Sequence, residues 1–204
     1  MEMKNKLLIA THNQAKFEQI RDYLRDIPYE LISLSDIGIT YDVEETGKTF
    51  VENALLKAQI YAQMSSLLTL ADDSGLQIDA LNGEPGIYSA RYAGPNKTNE
   101  EKMQFILDKM QNIPIDKRQA QFVSCMVLAW PNGKVKIYEG QSMGLISMEP
   151  RGKSRYGFPY YRIYILDRYG KTIAELEEQQ IPYESHRQQS LRQVADDLKS
   201  LAYY

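Results

Sequence analysis

The sequence predicts an α/β protein built on a mixed β-sheet with flanking helices. In the first half of the chain, short apolar runs alternate with segments of helical periodicity, which is typical of strands joined by helices. Residues 120–148 instead hold apolar runs around an Asn-Gly turn, which favours an antiparallel hairpin. The chain has 204 residues, of which 43% are hydrophobic, so one domain with a sizeable core is expected.

The chain begins with a predicted strand, loop and helix. Residues 6–10 form an apolar run, and apolar side chains recur at helical spacing over residues 14–25, with Asn13 as a plausible N-cap. A helix start after a strand offers unpaired backbone N–H groups to an anion, and Lys16 adds a positive charge. Segment 11–16 therefore either holds phosphates or is an ordinary capped turn with a solvated lysine.

A second strand is predicted at residues 29–34, and a second helix begins near Phe50. Residues 49–52 have the Thr-x-x-Glu pattern of a capping box. Asn53 and Lys57 are four residues apart, so they share one face of this helix.

Two pairs of adjacent acidic residues stand beside these elements. Asp72 and Asp73 follow an apolar run at residues 67–71, which predicts a short buried strand with the acids in a turn at its end. Glu44 and Glu45 precede the second helix, where they either favour its positive end or supply a carboxylate that joins Asp73 around a metal ion. All-carboxylate ligation suits a hard divalent ion such as Mg²⁺.

The second half of the chain predicts a ligand-binding loop and then an antiparallel region. Glycines punctuate residues 74–94, as in loops that approach a ligand closely. A capping box at residues 98–101 predicts another helix. Residues 120–130 indicate a central strand that ends at Trp130, and residues 135–141 and 143–148 indicate two more. The Trp130 ring could stack on a base, but packing in the core or at its edge is the more frequent arrangement, and we expect it here.

The last helix is predicted to begin after Ser185, with a buried stripe of leucine and valine. His186 and Arg187 fall in its first turn, where a positive charge is unfavourable. That conflict suggests either contact with a ligand or a salt bridge to Glu184 or Glu175.

Composition argues against several functions. The net charge of −3 provides no basic field for nucleic acid, and no apolar run reaches the ~20 residues that span a bilayer. The single cysteine, Cys125, lies in an apolar run, so we expect a core residue and no disulfide framework. Residues 1–13 lack the apolar region of a signal peptide, which favours a cytoplasmic protein.

Several motifs are similar to those of the inosine triphosphate pyrophosphatase-like family, which hydrolyses non-canonical purine nucleoside triphosphates. They are LADDSGLQIDALNGEPGIYSARYAG at 70–94, ATHNQAKFEQ at 10–19, EETGKTFVENALLKA at 44–58 and SHR at 185–187. The resemblance implies one elongated, two-lobed domain over residues 1–204 with a central cleft. It also implies a homodimer and Mg²⁺-dependent release of pyrophosphate from inosine or xanthosine triphosphates.

The resemblance also assigns site residues. Asp73 matches the proton acceptor and a metal ligand, and Glu44 matches the other metal ligand. The substrate-binding residues that it implies are Thr11, Asn13, Lys16, Lys57, Ser74, Phe158, Tyr160, His186 and Arg187, with further positions at Asn53, Asp72, Glu45 and Tyr161.

The match breaks at the base-recognition end. A GFGYDPIF-like segment of the family becomes GFPYYRIY at residues 157–164, so Tyr161 replaces the aspartate that reads the purine edge. Ile181 stands where the family places a lysine. The tyrosine lacks a carboxylate's anionic oxygens, although aromatic residues there could still stack on a base. Residues 160–166 also fit an ordinary strand. A pyrophosphatase for another base, or a nucleotide sensor without turnover, are the alternatives.

Overall fold

The computed structural model describes residues 5–201, which contain a seven-stranded sheet and five α-helices. The strands are β1 (Asn5–Ile9), β2 (Tyr29–Ser33), β3 (Leu68–Ile78), β4 (Gln119–Ala129), β5 (Val135–Ile146), β6 (Tyr164–Leu166) and β7 (Lys171–Thr172). The helices are α1 (Gln14–Leu24), α2 (Phe50–Ser65), α3 (Asn99–Lys109), α4 (Ile173–Glu178) and α5 (His186–Leu201).

The sheet is mixed, as the sequence predicted. Its strand order is β2-β1-β3-β4-β5-β6-β7. Strand β1 runs parallel to β2 and β3, whereas β6 is antiparallel to β5 and β7. None of the helices within residues 5–201 combines the length and apolar character needed to cross a membrane.

Polar side chains fix the starts of three helices where the sequence placed them. Asn13 accepts a hydrogen bond from the backbone N–H of Lys16 at the start of α1, and Thr49 accepts one from Glu52 at the start of α2. At α3 the capping box is complete, because Thr98 and Glu101 each accept from the other's backbone N–H. These local contacts require no tertiary information, which is why the sequence located them.

Three predicted element boundaries were wrong. Strand β3 continues to Ile78, so Asp72 and Asp73 lie inside a strand and not in a turn at its end. Strand β5 is continuous where two strands were predicted, and the segment 160–166, which also fitted a strand, begins in a short 3₁₀ helix, Pro159–Arg162, and is a strand only at β6. In β3 the acidic residues interrupt the apolar pattern, but side chains from other elements compensate their charges.

The chain divides into two compact units. The first comprises the described residues up to Asp73, Ser124–Gly140 and the described residues from His186. Its core lies between the sheet and two helices, α1 and α5. The main contributors are Leu7, Ile9, Ile20, Leu24, Leu70, Met126, Leu128, Leu191, Val194 and Leu198. Trp130 packs against this core, as predicted.

The second unit comprises Ser74–Val123 and Gln141–Ser185. Its core combines apolar side chains of α3 and α4 with an aromatic cluster that includes Phe122 and Tyr164, whose ring centroids are 4.6 Å apart. Arg118 is 1% exposed and donates hydrogen bonds to four backbone carbonyls, those of Met110, Ile113, Ile146 and Ser147. This arginine therefore connects the C-terminal end of α3 to the end of β5.

Candidate active site

Asp72 is the counter-ion of two basic side chains on one face of β3. Its side chain has no exposure; Lys16 Nζ lies 2.8 Å and Arg187 Nε 3.6 Å from Oδ2. Ser124 donates a hydrogen bond to Oδ1 at 3.0 Å. Burial alone would raise the pKa of Asp72, but the two cations outweigh it and hold the pKa below its ordinary value, so the carboxylate is ionised at neutral pH.

Arg187 is held in place from a second direction. Its Nη1 donates a hydrogen bond of 2.6 Å to Gln19 Oε1 on α1, and the residue is 3% exposed. The sequence predicted either a ligand or a glutamate as the partner of Arg187, and it gave no signal for the pairing with Asp72. The neighbouring His186 is buried too, and burial together with the charge of Arg187 holds its pKa well below the ordinary value, so its imidazole is neutral.

Asp73 contacts a different lysine, because successive side chains of a strand point to opposite faces. Lys57 Nζ lies 3.6 Å from Asp73 Oδ1, 2.7 Å from Glu45 Oε1 and 2.9 Å from the backbone oxygen of Asp72. Burial would lower the pKa of Lys57, but the carboxylates of Asp73 and Glu45 raise it overall. We refer to the six residues of these ion pairs as the charged cluster: Lys16, Glu45, Lys57, Asp72, Asp73 and Arg187.

The two aspartates differ in acidity although they are adjacent. Burial raises the pKa of Asp73 above the ordinary value, and the attraction of Lys57 only partly offsets that rise. The pKa of Asp72 is shifted in the opposite direction. Neighbouring carboxyl groups whose pKa values are pushed apart are suited to different roles, one as a permanent charge and one as a proton acceptor.

Helix α2 also contacts the segment that precedes it, residues 41–47, which we call the acidic segment. Asn53 is fully buried, and its Oδ1 accepts a hydrogen bond of 2.8 Å from the backbone N–H of Gly47. A Cβ at Gly47 would lie 2.6 Å from that oxygen, so only glycine fits there. Asn53 Nδ2 is buried and has no hydrogen-bond partner among residues 5–201.

The two glutamates of this segment are placed differently. Glu45 is half-buried on Lys57, whereas the Glu44 side chain is exposed and makes no ion pair or hydrogen bond with another described residue. The structure therefore joins Glu45 to Asp73 through Lys57, and it provides no such link for the predicted metal ligand Glu44.

Segment 11–16 combines local and long-range contacts. Thr11 Oγ1 accepts a hydrogen bond of 3.1 Å from the backbone N–H of Asn13, whose side chain caps α1. Lys16 points to Asp72. His12 Nε2 lies 3.0 Å from the backbone oxygen of Tyr41 and 3.3 Å from the Tyr61 hydroxyl.

The residues predicted at the base end belong to the second unit. Tyr160 is 5% exposed, and its hydroxyl donates a hydrogen bond of 2.8 Å to the backbone oxygen of Ser89. Tyr161 is 2% exposed, with ring centroids 5.8 Å from Phe122 and 4.9 Å from the half-buried Phe158. The structure thus places Tyr161 in the aromatic core.

The second unit also contains Ile181, at the predicted base end, and Ser74, a predicted substrate-binding residue of the central motif. Ile181 packs against the core of the second unit. Ser74, the first residue of that unit, is a half-buried residue of β3.

Three residues of the first unit were missed. Gln19 and Ser124 hold Arg187 and Asp72, and Tyr61 contacts both His12 and the acidic segment. For Ser124 a signal was available, since it is a polar residue inside the apolar run that became β4. For Tyr61 no signal was available, because helical spacing does not reveal the hydrogen-bond partners of a tyrosine hydroxyl.

The donor groups of this unit fit Mg²⁺. Among the described residues, no group of three or more His, Cys, Asp or Glu side chains is arranged to hold a metal ion. Mg²⁺ is usually bound by one or two carboxylates together with substrate phosphates and water, so a full protein cage is not required. Glu45 and Asp73 already share a cation, Lys57, which shows that the space between them favours positive charge.

Known proteins resemble this chain over nearly its whole length. A dITP/XTP pyrophosphatase of Bacillus subtilis is 38% identical over 200 residues, covering 98% of this chain and 100% of the relative. One from Haemophilus influenzae is 43% identical over 191 residues, covering 93% and 96%. The solved structure of a HAM1 protein from Coxiella burnetii has a TM-score of 0.85 at 38% identity and covers 96% of this chain and 99% of that one.

The family model described as the Ham1 family matches residues 7–197. That match agrees with the motifs at the start of α1, before α2 and along β3. The chain therefore belongs to the Ham1 family, which confirms the resemblance drawn from its sequence.

Proposed function

We propose that this chain is a Mg²⁺-dependent nucleoside triphosphate pyrophosphatase, which cleaves between the α- and β-phosphates and releases a nucleoside monophosphate and pyrophosphate. One observation carries the proposal: two adjacent buried aspartates, whose pKa values are shifted in opposite directions, contact three basic side chains, of which Arg187 is buried and Lys16 and Lys57 are partly exposed. Pairs of carboxyl groups whose pKa values are shifted by burial and by charged partners are concentrated at catalytic sites. The names of the relatives supply the reaction class.

Each residue of the charged cluster has a role that follows from its environment. Lys16 and the backbone N–H groups at the start of α1 bind phosphate oxygens. Asp73 accepts a proton from the attacking water, since its raised pKa makes it a better base than an exposed carboxylate. Lys57 keeps Asp73 oriented and favours its ionised form.

The metal ion would be held by Asp73 and a glutamate of the acidic segment. Glu45 is the better supported of the two glutamates because it shares Lys57 with Asp73. Glu44, which the family motif favours, is exposed and free to turn towards an incoming ion. When bound, Mg²⁺ offsets the negative charge that develops on the phosphate oxygens.

Inosine and xanthosine triphosphates, with their deoxy forms, are the substrates to test first, because the relatives are named for dITP and XTP. A different base is the second candidate. It is favoured by the burial of Tyr161 at the position where the family motif has a carboxylate.

Product analysis tests the activity and the base preference together. The protein is incubated with inosine, xanthosine and the four common triphosphates, with and without Mg²⁺, and the products are separated by ion-exchange chromatography. Release of monophosphate and pyrophosphate supports the proposal, and the ranking of rates identifies the base. Binding without any product would support the sensor instead.

Asp73→Asn tests the assigned base. We expect the rate with Mg²⁺ to fall at least about 100-fold, the lower end of what general-base catalysis contributes, while the fold is retained. Asp79→Asn is the matched control, because Asp79 is an exposed aspartate in a short 3₁₀ helix after β3, and its rate should stay within about twofold. An undiminished rate in Asp73→Asn removes Asp73 from the mechanism.

Two further properties belong to the proposal. We infer a cytoplasmic homodimer, supported by the family resemblance and by a single cysteine that is buried and free. Sedimentation equilibrium of the purified protein measures the oligomeric state directly, and a monomer at micromolar concentration would contradict the dimer.

A further inference from the structure

One face of α2 contacts every second residue of segment 41–47 between Val43 and Gly47. The contacting side chains of α2 are spaced four residues apart, and their partners in the segment are spaced two apart in the opposite direction. The pairs are Asn53 with Gly47, Lys57 with Glu45, and Tyr61 with Val43.

Simple geometry accounts for this regular pairing. Four helical residues advance about 6 Å, and two residues of a near-extended chain advance about 6.6 Å, so the two series stay in step over three contacts. Segment 41–47 forms no helix or strand of its own. Its position is therefore set by α2, including the position of Glu44 and Glu45.

Tyr61 makes the last of these contacts and connects a further segment. Its hydroxyl donates to the backbone oxygen of Tyr41 at 2.9 Å and accepts from the backbone N–H of Val43 at 3.3 Å. A carbonyl oxygen can only accept, so the Nε2–H of His12 donates to the Tyr41 oxygen and shares that proton with the Tyr61 hydroxyl, which lies 3.3 Å away. The same Nε2 lies 3.0 Å from the Tyr41 oxygen.

Tyr61 is thus the point at which two functional segments meet. The ring of Tyr61 is 1% exposed and meets the His12 ring edge to face, with centroids 6.3 Å apart. His12 lies in segment 11–16, which carries the N-cap of α1 and Lys16. Segment 41–47 carries both candidate metal-binding glutamates.

We propose that Tyr61 is a positioning residue whose hydroxyl couples the phosphate-binding segment 11–16 to the acidic segment 41–47. This inference rests on the proposed function and adds a residue that touches neither substrate nor metal. Order imposed on segment 11–16 by a triphosphate is transmitted through the hydroxyl to Glu44 and Glu45, and therefore to the binding of Mg²⁺.

Tyr61→Phe removes the hydroxyl and keeps the ring. Tyr138→Phe is the matched control, because Tyr138 is 6% exposed in the same unit and donates its hydroxyl to Asp197, away from both segments. Amide hydrogen exchange is followed in segment 41–47 for both variants and the wild type, without ligand and with Mg²⁺ and inorganic triphosphate. The Mg²⁺ concentration for half-maximal turnover, kcat and KM are measured in parallel.

In Tyr61→Phe we expect exchange in segment 41–47 to accelerate about tenfold, as the loss of one or two hydrogen bonds implies. Triphosphate with Mg²⁺ should slow that exchange in the wild type and in Tyr138→Phe but not in Tyr61→Phe. The half-maximal Mg²⁺ concentration should rise about tenfold, with kcat at saturating Mg²⁺ within about twofold of wild type, since Asp73 and Lys57 are untouched. Tyr138→Phe should match the wild type throughout.

Unchanged exchange in Tyr61→Phe overturns the proposal. So does faster exchange with an unaltered response to triphosphate and Mg²⁺, because the hydroxyl would then be structural only. His12→Ala breaks the same connection from the exposed side and should reproduce the loss of protection if Tyr61→Phe fails to fold. A wild type without turnover defeats the proposed function alone, since the exchange experiment with inorganic triphosphate needs no catalysis.

Discussion

Replacing Asp72 with asparagine should be among the most destabilising conservative substitutions in the first unit. Asparagine has nearly the same shape and keeps an acceptor for Ser124, so packing and that hydrogen bond survive. What is lost is the only carboxylate for which the structure gives contacts to both Lys16 and Arg187 among residues 5–201, at 2.8 and 3.6 Å. The buried Arg187 and the partly exposed Lys16 then face a neutral amide.

The magnitude follows from how far each cation can retreat. Removing one partner of a buried ion pair costs about 3–5 kcal/mol. The side chain of Lys16 is 16% exposed and can turn towards water, whereas that of Arg187 is 4% exposed and cannot. We therefore expect a loss of about 3 kcal/mol, near the lower end of that range.

The pH dependence has a definite sign. The folded-state pKa of Asp72 is depressed, so its stabilising contribution is fully present above the ordinary aspartate pKa of about 3.9 and is lost as pH falls towards the folded value. The stability difference between wild type and Asp72→Asn should therefore be constant between pH 6 and pH 8 and shrink below about pH 4.

Urea denaturation at several pH values measures both effects. Asp197→Asn is the control, because Asp197 binds Lys136 at 2.7 Å with a side chain that is 32% exposed, and its loss should cost at most about 1 kcal/mol. If Asp72→Asn costs no more than Asp197→Asn, or if its cost is independent of pH down to pH 3, Asp72 is not the buried counter-ion described here.

Two further substitutions test the second unit. Arg118→Met leaves four backbone carbonyls without their donor and should lower the free energy of unfolding by about 3–5 kcal/mol. The control Arg168→Met, at an exposed site, should change it by less than about 0.5 kcal/mol, and equal urea midpoints for the two variants would contradict this. Tyr161→Asp should lower the free energy of unfolding by about 3–5 kcal/mol at pH 8 and by less at pH 4, because a carboxyl group among aromatic rings has a raised pKa. The control Tyr88→Asp, at a site that is 55% exposed, should leave the stability nearly unchanged at both pH values. Near-normal stability of Tyr161→Asp with a shift towards inosine triphosphate would instead show that this side chain reads the base.

The helix starts of the first unit could be predicted because their signals are local. The N-cap at Asn13, the helix start at Thr49 and the spacing of Asn53 and Lys57 each depend on residues within one helical turn. The acidic pair inside β3 could not be placed correctly, because whether a strand continues through two carboxylates depends on cations supplied by α1, α2 and α5. No sequence window contains that information.

The base end shows the opposite situation. Motif alignment marks Tyr161 as a substituted recognition position, but alignment does not say which way a side chain points. In the structure its ring fills space between Phe122 and Phe158, so packing within the second unit determines its surroundings. Tyr160 is also committed, through its hydroxyl, to the backbone of Ser89. The motif identifies positions 160 and 161 but gives no information on the side chains that surround them.

Charge balance in the charged cluster supports the proposed requirement for a divalent cation in binding as well as in chemistry. The charged cluster holds three cations and three carboxylates, and each cation is already paired with at least one carboxylate. Within the charged cluster, a triphosphate therefore finds no basic side chain that is not already in an ion pair. It must either displace a carboxylate from a lysine or bind together with its own cation. Displacement would leave Asp72 or Asp73 buried beside an anion, which is the costlier course. A bound Mg²⁺ would avoid that cost, because Glu45 or Asp73 would have the metal as a new partner and Lys57 would be available to the phosphates.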